Sequence, residues 1–189
     1  MEPTIKAVLD ACVLYSAPLR DLLVELSYRR VIQGRWTAEI HEEWMGNLLA
    51  NRPDLDPNKL ERTRAAMDRV RGCLVTGHMS LIPAITLPDP DDRHVLAAAI
   101  LCGAKVIVTI NLKDFPQSAL GESKIEAQHP DLFLLSVLND KEEAFCTAVQ
   151  AVRQRLKNPP KTVEEYLLTL EEQGLTRTVE RLRDFVDLI

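Results

Sequence analysis

The sequence predicts an α/β protein: a parallel sheet flanked by helices, followed by additional C-terminal helices. Two short apolar runs, at 5–9 and 105–109, have the continuous hydrophobic character of strands buried on both faces. Segments with helical spacing of apolar residues lie between and after them. Parallel strands need crossover connections that are usually helical, so this alternation favours one α/β domain.

The first part of the chain is predicted to hold one strand and two helices. The strand spans 5–9 and stops abruptly at Asp10. Pro18 can start the first helix, and Thr37 can cap the second. Apolar residues recur every three or four positions in both helices, which gives each a core-facing side. These residues are Leu19, Leu22, Leu23 and Leu26 in the first helix, and Ile40, Trp44 and Leu48 in the second.

The next segment is predicted to contain a third helix and a short strand. Asp56 followed by Pro57 is typical of a helix start, and Gly72 is expected to end that helix. Leu81 and Ile82 are predicted to form the strand, because two aliphatic residues precede a proline-rich turn. This strand would add to the parallel sheet.

A strongly apolar helix and a buried strand are predicted to follow the proline-rich turn. Asp91 is expected to cap the helix, which spans 95–102 and stops at Gly103. The strand covers 105–109. Its position directly after the helix completes a strand–helix–strand arrangement.

The remainder of the chain is predicted to be helical. Helices are expected over 140–156, near 162–172 and over 175–187, with Gly174 between the last two. Acidic and basic side chains are balanced from 150 to 189, so charge does not indicate a partner for this part.

Composition excludes several classes of protein. The chain has 189 residues, a net charge of −5 and 46% hydrophobic residues, enough to bury a full core. No apolar run is long enough to span a membrane, and residues 1–6 lead into a strand without a secretory signal. The four cysteines (Cys12, Cys73, Cys102 and Cys146) show no paired metal spacing and no dense disulfide pattern, so a reducing, cytoplasmic setting is expected.

Three carboxylates stand where an α/β sheet usually carries its chemistry. Asp10 ends the first strand, Asp92 lies at the start of a helix, and Glu43 lies beside an apolar helical stripe. Such oxygens are the ligands that hard divalent cations prefer. Taken singly, Asp10 could be a turn residue, Asp92 a helix-start acid and Glu43 a solvated charge.

The sequence around these acids resembles the PIN-domain nucleases. The resemblance rests on 8–14, 37–48, 88–99 and 107–115, which occur in the family's order, and spans about 5–138. Residues 126–131 resemble one bacterial branch, the VapC-type toxins, and the C-terminal helices resemble an extension found in part of that branch.

The resemblance implies a PIN-like, Rossmann-like nuclease domain at 1–138 and a helical extension at 139–189. It implies an endoribonuclease that uses Mg²⁺ or Mn²⁺ and activates water. Asp10, Glu43 and Asp92 match the family's main acidic positions. The fourth ligand is open between Asn111, where many relatives have Asp, and Asp114, which is favoured for its charge.

Other residues are expected to assist the metal site. Thr109 could orient a ligand or water through its hydroxyl, and Asn47 could hold Glu43 or a phosphate. His94 could act as an acid or base, although packing on the helix flank is more typical of a histidine at such a position. Because the net charge is negative, RNA binding requires a local group of cations. The candidates are Lys59, Arg62, Arg69 and Arg93.

Two other functions are compatible with parts of the pattern. A non-catalytic PIN-like binding module is one, although such a module has no physical reason to retain mutually repelling acids. A haloacid-dehalogenase-like phosphatase is the other, but it would need a second Asp where this chain has Cys12. If the chain is a VapC-type toxin, the expected partners are RNA, a cognate antitoxin and a second copy in a homodimer, with no membrane.

Overall fold

A four-stranded parallel sheet lies at the centre of the molecule. The structure, a computed structural model, describes residues 4–189 apart from the side chain of Glu122. The strands are β1 (Lys6–Leu9), β2 (Gln33–Arg35), β3 (Val106–Val108) and β4 (Glu126–Gln128), in the order β2-β1-β3-β4. All three pairings are parallel, which confirms the predicted α/β class.

Helices connect and flank the strands. The strongly apolar helix and the residues around it bury their side chains against β1 and β3, where the central strands are almost inaccessible to solvent. The helices are α1 (Ala11–Tyr15), α2 (Ala17–Tyr28), α3 (Ala38–Asn51), α4 (Pro57–Asp68), α5 (Arg93–Cys102), α6 (Gln117–Leu120), α7 (Pro130–Asp140), α8 (Glu142–Arg155), α9 (Val163–Glu171) and α10 (Thr176–Leu182). Short 3₁₀ segments lie at His78–Ala84, Pro90–Asp92, Leu112–Asp114, Gly121–Ser123 and Arg183–Leu188.

Most of the predicted helix signals are confirmed. Thr37 caps α3 by accepting a hydrogen bond from the Ile40 backbone N–H. Asp56 caps α4 in the same way, through the N–H of Asn58. Gly103 ends α5 in the left-handed region, at φ 66°, where glycine has no steric penalty.

The predicted strand at Leu81 and Ile82 is wrong. Both residues lie in the 3₁₀ segment His78–Ala84, which packs against α5. Pro83 lies inside this segment and has no N–H for a sheet ladder. The aliphatic pair therefore covers a helix instead of extending the sheet.

Two predicted helix boundaries also differ from the structure. The helix expected to reach Gly72 ends at Asp68. The chain turns after it, and the Cys73 carbonyl accepts a hydrogen bond from the Trp36 N–H. The helix expected to be capped by Asp91 is preceded by the 3₁₀ turn Pro90–Asp92, and the carboxylate that caps this turn belongs to Asp89.

The edge strands β2 and β4 carry few of the sequence signals used to predict strands. β2 reads Gln-Gly-Arg, and β4 reads Glu-Ala-Gln. Gly34 of β2 is required by a close approach of α2, because a Cβ built there would lie 2.3 Å from the Ser27 hydroxyl oxygen. Pairing with the apolar central strands, and not local propensity, makes these segments strands.

The predicted C-terminal helices are confirmed, with a break at Lys141 where a helix was expected to begin at Asp140. One buried carboxylate links α7 to α10 in this part of the chain. Asp131, in the first turn of α7, accepts hydrogen bonds from the backbone N–H groups of Arg177 and Thr178 and from the Thr178 hydroxyl. It therefore satisfies free N–H groups at the start of α10.

None of the helices within residues 4–189 is long and apolar enough to cross a membrane. The prediction that the chain lacks a secretory signal rests on residues 1–6, of which 1–3 lie outside the described residues.

We expect Asp131→Asn to destabilise the protein by about 2 kcal/mol, because an amide replaces the charged acceptor of three hydrogen bonds with only one oxygen. Thermal unfolding should shift downward by roughly 4–8 °C. Asp140→Asn, at the exposed end of the same helix, is the matched control. Equal melting temperatures for the two variants would contradict a structural role of Asp131.

Candidate metal centre

The candidate centre lies at the carboxyl edge of the sheet, between its two central strands. Asp10 directly follows β1, and Thr109 directly follows β3. The chain passes from β1 to β2 on one side and returns to β3 on the other, so a crevice opens between β1 and β3. Ligands of open parallel sheets bind at such a point.

The Asp10 carboxylate is buried and held by hydrogen bonds. It is 2% exposed and caps α1, since Oδ1 accepts from the Ala11 N–H at 2.7 Å. Oδ2 accepts from the Thr109 hydroxyl at 2.7 Å and from the Cys12 thiol at 3.2 Å. The Thr109 oxygen in turn accepts from the Asn111 N–H at 3.0 Å. Thr109 thus orients the first predicted ligand.

Burial makes ionisation unfavourable for the two groups beside this hydroxyl. It raises the pKa of Asp10 above its ordinary value, with a contribution from the Glu43 charge, while the Thr109 hydrogen bond opposes the rise. Burial and the Asp10 charge raise the pKa of the Cys12 thiol to about 12. Cys12 therefore remains a neutral thiol and is a poor nucleophile.

Asp92 is the acid on which the other negative charges of the site act most strongly. It is the N-cap residue of α5, and its side chain makes no capping hydrogen bond. Burial and the negative charges of Asp10, Asp89, Asp114 and Glu43 together raise its pKa to about 7. The structure therefore brings four other acids close enough to act on Asp92.

Glu43 is the most exposed of the three main acids. It lies on α3 with its side chain 43% exposed, and its Oε2 is 3.7 Å from Nε2 of His94. One turn earlier on the same helix, Glu39 lies 3.3 Å from Nε2 of the buried His78. These two contacts lie between α3 and the segments that precede and begin α5. Within residues 4–189 neither is a hydrogen bond, and burial lowers the pKa of His78, which disfavours its charged form.

The two candidates for the fourth position differ in their surroundings. Asp114 lies in the 3₁₀ turn after β3 and acts electrostatically on Asp92. The side chain of Asn111 is exposed. Its backbone N–H donates to the Thr109 hydroxyl oxygen, and its carbonyl accepts from the Asp114 N–H. The arrangement favours Asp114. Asp89 was not predicted as a member of this group, because it lies in the proline-rich turn, where the sequence indicated a cap at Asp91 and no ligand.

The remaining predicted residues do not contact the carboxylates. Among the residues that the structure describes, Asn47 is exposed and forms no side-chain hydrogen bond. Arg93 donates to the backbone carbonyl of Pro90. Lys59, Arg62 and Arg69 lie at exposed positions on or just after α4. Their predicted roles in RNA binding remain predictions.

The donor set suits a hard divalent cation. Within the described part of the chain, none of these acids forms an ion pair with Lys or Arg, and the only charged-group contact is between Glu43 and His94. A bound cation would relieve the repulsion that raises the Asp92 pKa. Over residues 4–189, no three His, Cys, Asp or Glu side chains are already placed to share one ion.

This fold and this acidic edge define a class of protein, and comparison with known families agrees. Residues 6–113, more than half of the chain, match the family model described as "PIN domain". The chain belongs to the PIN-domain family. Residues 130–184 match a second family model, "VapC50 C-terminal domain", which begins N-terminal to the predicted domain boundary at 138/139. The resemblance to a VapC-type PIN protein with a C-terminal extension is confirmed.

A related sequence extends this likeness. The chain is 48% identical over 82 residues to the "Putative ribonuclease VapC50" of Mycobacterium tuberculosis. The matched segment covers 43% of this chain and 48% of that protein, so the similarity spans about half of each. No solved structure matches the chain.

We expect the metal-free protein to lose stability as the pH rises from about 4 to about 7. Because the folded-state pKa of Asp92 is raised to about 7, its contribution to stability is complete below the unfolded pKa of about 3.9 and is lost as pH rises through the folded pKa. Asp92→Asn should remove much of this dependence. At pH 8 it should stabilise the metal-free protein by about 1–2 kcal/mol, allowing for solvent screening.

Thermal unfolding in EDTA at several pH values measures this effect. Asp91→Asn, which neutralises the exposed neighbouring acid, should retain the pH dependence of the unmodified chain. Identical pH profiles for Asp92→Asn and the unmodified chain would show that Asp92 is not under electrostatic strain.

Proposed function

We propose that this protein is a divalent-metal-dependent endoribonuclease and the toxin of a toxin–antitoxin pair. The observation that supports this most strongly is the group of acids around Asp92 at the β1–β3 crevice, which has no Lys or Arg partner within residues 4–189. A structural group of acids would be expected to have basic partners, whereas acids that hold a cation need none. Membership of the PIN-domain family and the name of the relative support the same activity.

The proposed chemistry needs no nucleophilic side chain. Bound Mg²⁺ or Mn²⁺ would supply an activated water and stabilise the charge of the phosphate undergoing cleavage. Asp10, fixed by Thr109, provides the most rigid oxygen, and Asp92, Glu43 and Asp114 provide the others. Asn111 remains the neutral alternative to Asp114.

The site is less suited to phosphatase chemistry through Asp10. Both Asp10 oxygens already accept hydrogen bonds, and the carboxylate is 2% exposed, which is unfavourable for attack on a substrate. Cys12 occupies the position where a second acid would be needed, and its thiol remains protonated. The activity test distinguishes the nuclease from the alternative of a non-catalytic PIN-like binding module.

We also propose RNA, a cognate antitoxin and a second copy of the chain as partners, in the cytoplasm. Support comes from the VapC-type resemblance and from apolar side chains that α5 and the segment after β3 expose to solvent. An antitoxin helix could cover these side chains, which are Ile100, Leu101, Ile110 and Leu112. We further propose that 1–138 forms the nuclease unit and 139–189 an extension.

We expect purified protein to cleave single-stranded RNA only with Mg²⁺ or Mn²⁺, and Asp10→Asn and Glu43→Gln to reduce the rate at least 100-fold, because each loses a charged ligand. Gel analysis of 5′-labelled RNA measures the rate, and growth on induced expression reports toxicity. Sequencing the new RNA 5′ ends would identify the target.

Glu42→Gln is the matched control for Glu43→Gln, since it removes the same charge from the adjacent exposed position of α3. It should cleave RNA at the rate of the unmodified chain. Metal-independent cleavage, or full activity of Glu43→Gln, would refute the assignment. Absence of cleavage together with absence of metal binding would favour the non-catalytic binding module.

Thr109→Val should lower metal affinity 10–100-fold, because Asp10 loses the hydroxyl that orients its Oδ2 atom. Thr109→Ser should retain most of the affinity, since it keeps the donor. Isothermal calorimetry with Mn²⁺ measures both variants. If Val and Ser behave alike, the hydroxyl has no part in positioning Asp10.

A further inference from the structure

A second charged region lies along the outer edge of the sheet, beside β2. It is a cavity of about 730 Å³, open to solvent, that borders Thr4 before β1 and extends along β2 from Gln33 to Arg35. The acids lie instead at the carboxyl ends of β1 and β3, and none of them lines this cavity within residues 4–189.

The charged residues that line this cavity are all basic. They come from the end of α2, from β2, from the turn after α4 and from the residue between α7 and α8, so four separate segments contribute. The cations are Arg29, Arg30, Arg35, Arg71 and Lys141, and no Asp or Glu lines the cavity within the described residues. In a chain of net charge −5, this is a marked local excess of positive charge.

Only one of the five cations is neutralised by an acid. Arg29 pairs with Glu25 at 2.5 Å, and Glu25 is shared with Arg155. Glu143 lines a smaller adjoining recess that also borders Arg29.

The other four cations have no ion pair within residues 4–189. Arg35 donates to the Gly34 carbonyl and to the Gln33 side chain, and Lys141 donates to the Val31 carbonyl, so both interact with neutral oxygens. Arg30 and Arg71 are exposed at the cavity. Four like charges that converge without a counter-charge repel one another, and an anion would relieve that repulsion.

The end of α2 sets the backbone at Arg30. Arg30 lies in the left-handed region, at φ 59°, directly after the C-cap residue Arg29. The N–H groups of Arg30 and Val31 donate to the Ser27 and Leu26 carbonyls, which is the hydrogen-bond pattern of a common helix ending. This helix ending places the Arg30 guanidinium at the cavity.

We propose that this cavity, defined here as the basic cavity, binds a phosphate ester with two or more phosphate groups. Guanidinium groups match phosphate oxygens in geometry as well as in charge. The volume exceeds that of one phosphate and is in the range of nucleotide-sized ligands. The phosphates could belong to a nucleoside polyphosphate or to the backbone of an RNA strand. The site does not depend on the proposed cleavage activity.

The test measures binding in EDTA, so that neither metal nor cleavage contributes. The probes are ADP, followed by calorimetry, and a fluorescein-labelled RNA of ten nucleotides, followed by anisotropy. The double substitution Arg30→Asn with Arg71→Gln removes two exposed cations, and Asn tolerates the left-handed backbone. We expect at least tenfold weaker binding of one or both probes.

Two further variants make the result specific. Lys157→Gln with Arg177→Gln removes the same charge from exposed positions outside the cavity, and should bind within twofold of the unmodified chain. Arg30→Lys with Arg71→Lys keeps the charge and should retain most of the binding. For RNA, the slope of log affinity against log salt concentration should become shallower by about 1.4 in the Arg30→Asn, Arg71→Gln variant. This is the value for two lost phosphate contacts on a single strand.

The outcomes separate the sources of phosphate. Loss confined to ADP assigns the basic cavity to a nucleotide, and loss confined to RNA assigns it to the RNA backbone. Unchanged binding of both probes in the Arg30→Asn, Arg71→Gln variant overturns the proposal. So does binding of poly-glutamate by the unmodified chain without binding of either phosphate probe, since that would indicate an acidic polypeptide. Each result is independent of whether the chain cleaves RNA.

Discussion

The hydrogen bond from the Thr109 hydroxyl to the Asp10 carboxylate joins the ends of the two central strands. It fixes a buried acid at the edge where the sheet opens, so the other acids can be positioned around a rigid reference. β1 and β3 are apolar and almost fully buried, and their parallel pairing sets the separation of these two residues. The packed sheet therefore determines the geometry of the polar edge.

Placing several acids close together lowers the stability of the protein, and packing elsewhere in the fold compensates for that loss. Burial and the surrounding acids together raise the pKa of Asp92 to about 7, a situation that no isolated helix start would produce. The large core beneath these groups offsets the cost of placing them together.

Acidic and basic side chains are grouped at different places around the sheet. Uncompensated acids lie at the carboxyl ends of β1 and β3, and the basic cavity lies along the outer edge of β2, so the net charge of −5 combines two regions of opposite sign. An anion is repelled by the first region unless a cation is bound there, and is attracted by the second. The distribution of charge therefore says more about ligands than the total does.

The sequence by itself determined the α/β class, the two central strands, the caps at Thr37 and Asp56 and the helical C-terminal part. These features follow from local patterns of apolar spacing and capping chemistry, which act over a few residues. Asp10, Glu43 and Asp92 could also be selected, because the surrounding segments resemble a known family. Their roles as ligands remain to be tested by substitution.

The remaining features depend on tertiary packing. Gln33–Arg35 and Glu126–Gln128 form strands by pairing with buried neighbours, and Leu81 and Ile82 pack against α5 and do not join the sheet. The group of Asp10, Glu43 and Asp114 around Asp92, and the residues that line the basic cavity, come from segments far apart in the chain. Local sequence patterns carry no information on such distances, because they are set by how the helices pack around the sheet.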